Sequence, residues 1–235
     1  MKVIVYTCNV NNYDTRKKVP DVDTNAQYLY YSDSMERVSG WQIMKADMSV
    51  SDEARRVSRY HKTHSHLLPP HDYSIWIDAS LRLKGTDVLE FVKKHLGKLD
   101  IACFYHGEDN VDRSCIYQEA AACINKFPKQ TMLILDQINR YRTEGFPERF
   151  GLRSAGIIIR RNNDNVRRFN ELWWDEISKG SHRDQLSQMY VSWKTGVDVG
   201  KITEGTVYVN ELTSYNYHIH RMEALKNKTI HKKIR

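Results

Sequence analysis

The sequence predicts an α/β domain in which helices cover a largely parallel sheet that late strands close. Three observations carry this expectation. Short apolar runs alternate with amphipathic stretches of helical spacing along most of the chain. Its 235 residues, 40% apolar and 28% charged, suffice for one globular domain with a sizeable core. No repeat, low-complexity block or apolar run long enough for a membrane helix interrupts them.

Taken in order, Lys2 to Thr7 is a compact apolar run ending in polar residues, a first strand. Gln27 to Tyr31 and Trp41 to Lys45 carry weaker strand patterns, and Tyr73 to Ile77 is an apolar strand that stops at Asp78. Ile101 to Tyr105 leads into the polar group His106 to Asn110, and polar loops after strands are where open α/β sheets place ligands. Ile116, Ala120, Cys123, Ile124 and Phe127 recur at helical spacing until Pro128 breaks the run. A helix from Lys129 to Glu144 carries Met132, Leu133, Ile138 and Tyr141 on a helical face, with Gly145 and Pro147 as its stop. Gly156 to Arg160 reads as a buried strand. Val166, Phe169, Trp173 and Ile177 form one helical stripe; Leu186, Met189, Tyr190 and Trp193 form another that starts just after Arg183 and Asp184. Strands at Val207 to Val209 and Tyr217 to His220 complete the pattern.

Lys and Arg number 36 against 29 Asp and Glu, a formal charge of +7. Six of those cations, with only Glu223 opposing them, fall in residues 221–235, so the rest of the chain is close to neutral. A nucleic-acid binder needs its basic patch on the folded body, and that partner class is therefore not expected. The expected organisation is one domain over 1–220 and a basic tail or linker over 221–235, which could meet an anionic membrane or lead into a further domain. Cys8, Cys103, Cys115 and Cys123 form no CxxC or zinc spacing and read as small core residues. The opening MKVIVYTCNV is strand-like rather than a secretory signal, and a cytoplasmic location is expected.

Chemistry concentrates in a few strings. Tyr73-Ser74-Ile75-Trp76-Ile77-Asp78-Ala79-Ser80 delivers a carboxylate at a strand end with small residues behind it. Asp78 could hold a hard divalent cation against a diphosphate, or close the strand as an Asx turn. Neither GxGxxG nor GxxxxGK[ST] occurs, so a bound nucleotide would depend on strand-end side chains and a metal. Ser181-His182-Arg183-Asp184 fits a capping box in which Asp184 reaches back to the Ser181 amide. A carboxylate at a helix start is also kept anionic by the macrodipole and could accept a hydrogen bond or proton from a sugar hydroxyl. Arg55, Arg56, Arg59 and Lys62 form either a solvated cationic helix face or an anion site. In Tyr217-His218-Ile219-His220 both imidazoles share one strand face.

The segments VYTCNVNNYD, SIWIDASL, GLRSAGIIIRRN and LWWDEISKGSHRDQLSQMYV, in that order, resemble a glycosyltransferase-like family. It includes plant proteins first described as a domain of unknown function, among them an alkaline-ceramidase-type protein and mucilage-related transferases. The similarity runs from about Val3 to about Trp193. It implies a GT-A fold with a Rossmann-like nucleotide-binding half, a nucleotide-diphospho-sugar donor such as a UDP-sugar, and Mn²⁺ or Mg²⁺ near a DxD motif. Asp78 matches the first position of that motif, but Ser80 stands where the second aspartate belongs, and a hydroxyl is a much weaker ligand.

Carried over residue by residue, the resemblance assigns Tyr6, Thr7 and Tyr13 to base and ribose, with Tyr6 equally readable as core because alternate strand residues point inward, and Arg59 and Lys62 to the diphosphate. Asp78, Ala79, Ser80, His106, Arg183 and Gln185 join the nucleotide-sugar site, with Arg113, Tyr117 and Glu119 beside His106. His218 or His220 would be the distal metal ligand; a mixed carboxylate and imidazole shell suits Mn²⁺ better than Mg²⁺. Asp184 would be the base of an inverting enzyme, or would bind sugar hydroxyls in a retaining one. The expected activity is hexosyl or deoxyhexosyl transfer to a hydroxyl of a glycan or glycoprotein. The rival reading is a non-catalytic nucleotide- or glycan-binding module of the same shape.

Overall fold

The computed structural model of the chain describes residues 1–19, 25–106 and 113–215. Nine strands appear in it: β1 Val3–Cys8, β2 Ala26–Ser32, β3 Gln42–Lys45, β4 Tyr73–Ile77, β5 Leu81–Leu83, β6 Ile101–Tyr105, β7 Arg153–Arg161, β8 Val199–Ile202 and β9 Thr213–Tyr215. Six α-helices accompany them: α1 Ala54–Thr63, α2 Val88–Leu96, α3 Ile116–Lys126, α4 Thr131–Thr143, α5 Asp164–Lys179 and α6 Gln185–Thr195. Seven strands form one sheet in the order β3-β2-β1-β4-β7-β6-β8, while β5 and β9 pair separately.

β1 runs parallel to β2 and β4, β2 to β3, and β6 to β8; β7 is antiparallel to both its neighbours. This is the mixed, mostly parallel α/β sheet that the sequence predicts. A strand covered on both faces reads as a continuous apolar run, and all six residues of β1 are buried. Alternate side chains divide the core. Ile4 and Tyr6 of β1, Trp76 of β4 and Ile158 of β7 pack with α1, α3, α4, α5 and α6. Val3, Val5, Ile75, Ile77, Ile157 and Ile159 pack with α2 and β5 on the other face. From β1 the chain lays β2 and β3 outward on one side, then returns to put β4 on the other. The crevice beyond the carboxyl ends of β1 and β4 is thus a topological switch point, where open α/β sheets bind ligands.

The expected strands through Arg160 and the expected helices occur with their ends shifted by a few residues. Val207 to Val209 does not form a strand. Thr206 Oγ1 accepts from the Tyr208 and Val209 amides at 3.2 and 3.1 Å, which folds the backbone into a turn, and only a single bridge joins Val209 to Ser214. The expected strand Tyr217 to His220 and the basic segment 221–235 lie outside the described residues. All four cysteines are buried and free. Among the described residues no helix is long and apolar enough to cross a membrane.

Candidate functional site

The site is built from three pieces of chain that local patterning brings to the switch point. On α1, Arg55, Ser58, Arg59 and Lys62 recur at helical spacing, so one face of the helix lines the crevice while Val57 turns inward to the core. β4 ends at Ile77, and the next backbone amide, Asp78 N, donates to Gly156 O at 2.7 Å, which fixes where the Asp78 side chain emerges. The start of α6 brings Asp184, which caps that helix by accepting from Gln185 N at 3.1 Å. The capping box centred on Ser181 is therefore corrected. α6 begins only at Gln185, and Ser181 Oγ instead accepts from Arg183 N and donates to Gln130.

Lys62 is 1% exposed, and its ammonium has three oxygens around it: Asp184 Oδ2 at 2.6 Å, Asp78 Oδ1 at 2.8 Å and Ala155 O at 2.9 Å. Arg59 adds a second cation, with Nε 3.1 Å from Asp184 Oδ2 and Nη1 3.8 Å from Asp78 Oδ1. The carboxylates at the end of β4 and the start of α6 are thus tied together through one buried lysine. Burial alone would raise the Asp184 pKa, but the charges of Arg59, Lys62 and Arg183 outweigh it and hold the carboxyl well below the usual carboxylate range. Trp173, fully buried, donates Nε1 to Asp184 O at 3.0 Å and fixes the backbone there. Tyr6 Oη donates to Lys62 O at 3.1 Å and Arg160 donates to the same carbonyl at 2.8 Å, bracing the last turn of α1.

Arg59, Lys62, Asp78 and Asp184 line a cleft of about 610 Å³, within the usual range of ligand sites. Among the described residues, six Lys and Arg side chains and four Asp and Glu line it, an excess of two positive charges. Of the residues expected from the sequence, Tyr13, Arg59, Lys62, Asp78, Ala79, Ser80, His106, Arg183, Asp184 and Gln185 all border the cleft. Tyr6 and Thr7 do not border it and are buried in the sheet, where Tyr6 braces α1. His218 and His220 lie outside the described residues.

Beyond Asp184 the cleft continues to Glu119, which is 2% exposed and receives Arg113 Nε at 2.6 Å, with Arg183 Nη2 at 3.6 Å and His106 Nε2 at 3.8 Å. Burial lowers the His106 pKa, so this ring is neutral at pH 7. Tyr117 turns away and donates to Phe146 O at 2.8 Å. Arg55 also borders the cleft, a residue of the same cationic run that the sequence does not single out for the site; its spacing from Arg59 and Lys62 is the available signal.

Among the described residues no group of three or more His, Cys, Asp or Glu could hold a metal. Asp78 is the expected ligand within them, and its Oδ1 already faces Lys62 Nζ and accepts from Trp76 Nε1 at 2.8 Å. The described donor set does not fit a divalent cation, because an ammonium holds the place between the two carboxylates.

An α/β sheet with a cationic cleft at its switch point is the arrangement in which open sheets of this class bind ligands. Residues 12–210 match the family described as TOD1/MUCI70, glycosyltransferase-like domain, and the chain belongs to that family. A search of curated proteins returned no match.

Proposed function

We propose that the chain transfers a sugar from a nucleotide-diphospho-sugar, with UDP-sugars the first class to test, to a hydroxyl of a glycan. The observation that supports this reading is the cleft itself: among the described residues, cations outnumber carboxylates by two there, with Asp78 and Asp184 held in place at the carboxyl ends of β1 and β4. Positive side chains aimed at the departing diphosphate stabilise charge that grows in the transition state, and fixed groups do so without reorganising. Asp184 enters as a permanent anion. A base works best with a pKa near the working pH, whereas Asp184 is held far below it, so its role here is to accept hydrogen bonds from sugar hydroxyls and orient them. That is the part a retaining course gives it.

The test is nucleotide release from a panel of UDP- and GDP-sugars with glycan acceptors. Turnover by the wild type, lost in Asp78→Ala and Asp184→Ala while both stay folded, is the expected result. Full activity in both variants overturns the reading. Occupation of both carboxylates by Lys62 favours a second reading, a module that binds the donor without turnover; saturable donor binding with no nucleotide released is its signature.

A further inference from the structure

The cations of the cleft are not equally available to a ligand. Lys62 and Arg59 face Asp184 and Asp78, Arg113 is bonded to Glu119, and Arg183 shares Glu119 and donates to Gln185 Oε1 at 3.2 Å. Arg55 differs. Among the described residues its guanidinium is bonded to neutral groups: Nη2 donates to Tyr13 Oη at 2.6 Å and Nη1 lies 3.2 Å from His182 Nε2. It also lies over two rings, 5.1 Å from the Phe127 centroid and 5.4 Å from that of Tyr13.

An arginine only donates, so His182 Nε2 must be the acceptor and the ring proton sits on Nδ1, which lies 3.5 Å from Glu53 Oε2. Burial, with Arg55 adding to it, pushes His182 down to about 4, so the ring is neutral at pH 7 and takes nothing from the guanidinium charge. Neutral acceptors and aromatic faces orient Arg55 while leaving its charge, and donors beyond the two in use, for an anion.

We propose that Arg55, and not the Arg59 and Lys62 pair, is the principal anchor of the donor's diphosphate, held ready by Tyr13, His182 and Phe127. The inference rests on the nucleotide-diphospho-sugar reading and names the contact that recognises the donor's charged part. Arg59 and Lys62 then act as internal counter-ions that set the positions of Asp78 and Asp184. The fork of Arg55 matches two phosphate oxygens at once, which a lysine cannot do.

The test is isothermal titration of the full chain with inorganic pyrophosphate, and with UDP and GDP, at low and moderate salt. Arg55→Gln is expected to weaken pyrophosphate binding roughly ten- to a hundredfold, as loss of a charge-assisted hydrogen bond does. Arg55→Lys should recover only part of it. Arg56→Gln serves as the control for net charge, because Arg56 lies outside the cleft and bonds to Glu53, Ile177 O and Gly180 O; it should stay within about twofold of the wild type. Pyrophosphate binding that is absent from the wild type, or unchanged in Arg55→Gln, overturns the assignment. Pyrophosphate binding that depends on Arg55, with UDP and GDP no tighter than pyrophosphate, upholds the assignment and counts against the nucleotide-sugar reading.

Discussion

Replacing Lys62 with methionine would remove the ammonium that joins Asp78 to Asp184 while keeping most of the side-chain volume. Asp184, whose side chain is 3% exposed, would keep its charge but lose its closest cation, leaving Arg59 at 3.1 Å and the Gln185 amide. Asp78 would suffer less, because its side chain is 32% exposed and water can replace the lost contact. Breaking a buried pair by removing one partner costs about 3–5 kcal/mol. For a domain of this size each kcal/mol moves Tm by about 2–4 °C, so a fall of about 6–20 °C is expected.

The second variant isolates the cause. Lys62→Met with Asp184→Asn leaves no uncompensated charge and should recover a large part of the loss, a non-additivity that only directly coupled residues show. Thermal unfolding followed by circular dichroism, with urea titration at pH 7, measures both. A single variant within about 0.5 kcal/mol of the wild type, or a double variant less stable than the single, refutes the view that Lys62 holds the two carboxylates in place.

Three further outcomes are expected. Gly156→Ala would set a Cβ 2.8 Å from Val207 Cγ2 and 3.7 Å from Asp78 Oδ2, so it should cost about 1–3 kcal/mol and weaken nucleotide binding; Val207→Ala in the same chain should relieve it. His61 and His182 are each pushed down to about 4 by burial, below the unfolded value of about 6.5. The unfolded chain then binds protons first on acidification, so their contribution to stability is full above about pH 6.5 and is lost as pH falls towards 4, by at most about 3 kcal/mol per ring. His61→Gln should flatten the stability profile in that window, as urea midpoints from pH 7 to 4 would show; an unchanged slope contradicts it. Asp184→Asn should lower turnover by impairing sugar orientation, yet leave the acidic limb of the pH dependence of kcat in place; disappearance of that limb would make Asp184 the base after all.

Much of the sheet was legible because its strands are buried on both faces and write continuous apolar runs, as VIVYTC and YSIWI do. The stripes of α3, α5 and α6 were equally plain, since a helix packed on a sheet must present apolar residues every three or four positions. β5, β8 and β9 are only three or four residues long, too short for a period to emerge. α2 did carry a signal, an apolar stripe behind the capping residue Asp87, which the reading of VLEFVKKHL passed over.

At the site, SIWID announced a carboxylate at a strand end, and the resemblance drew attention to Asp184. Their union through Lys62 was not legible. Lys62 and Asp184 are 122 residues apart, and no local pattern encodes that a helix face and a helix start will meet over a strand end. Tyr6 shows the converse. A polar aromatic at the end of β1 reads equally as a ligand contact or as core; strand alternation turns it inward, where its hydroxyl braces the backbone at Lys62.

The most direct test of the central claim, that this cleft receives a nucleotide diphosphate, is a thermal-shift series on the full chain. UDP, GDP and UDP-sugars would each be tested in EDTA and in Mn²⁺, because a ligand that prefers the folded state raises Tm by mass action. The account predicts a rise with at least one nucleoside diphosphate that persists in EDTA and shrinks in Arg55→Gln. No rise with any nucleotide, with or without Mn²⁺, would contradict the claim; a rise that needs Mn²⁺ would return the charge-neutralising role to a metal.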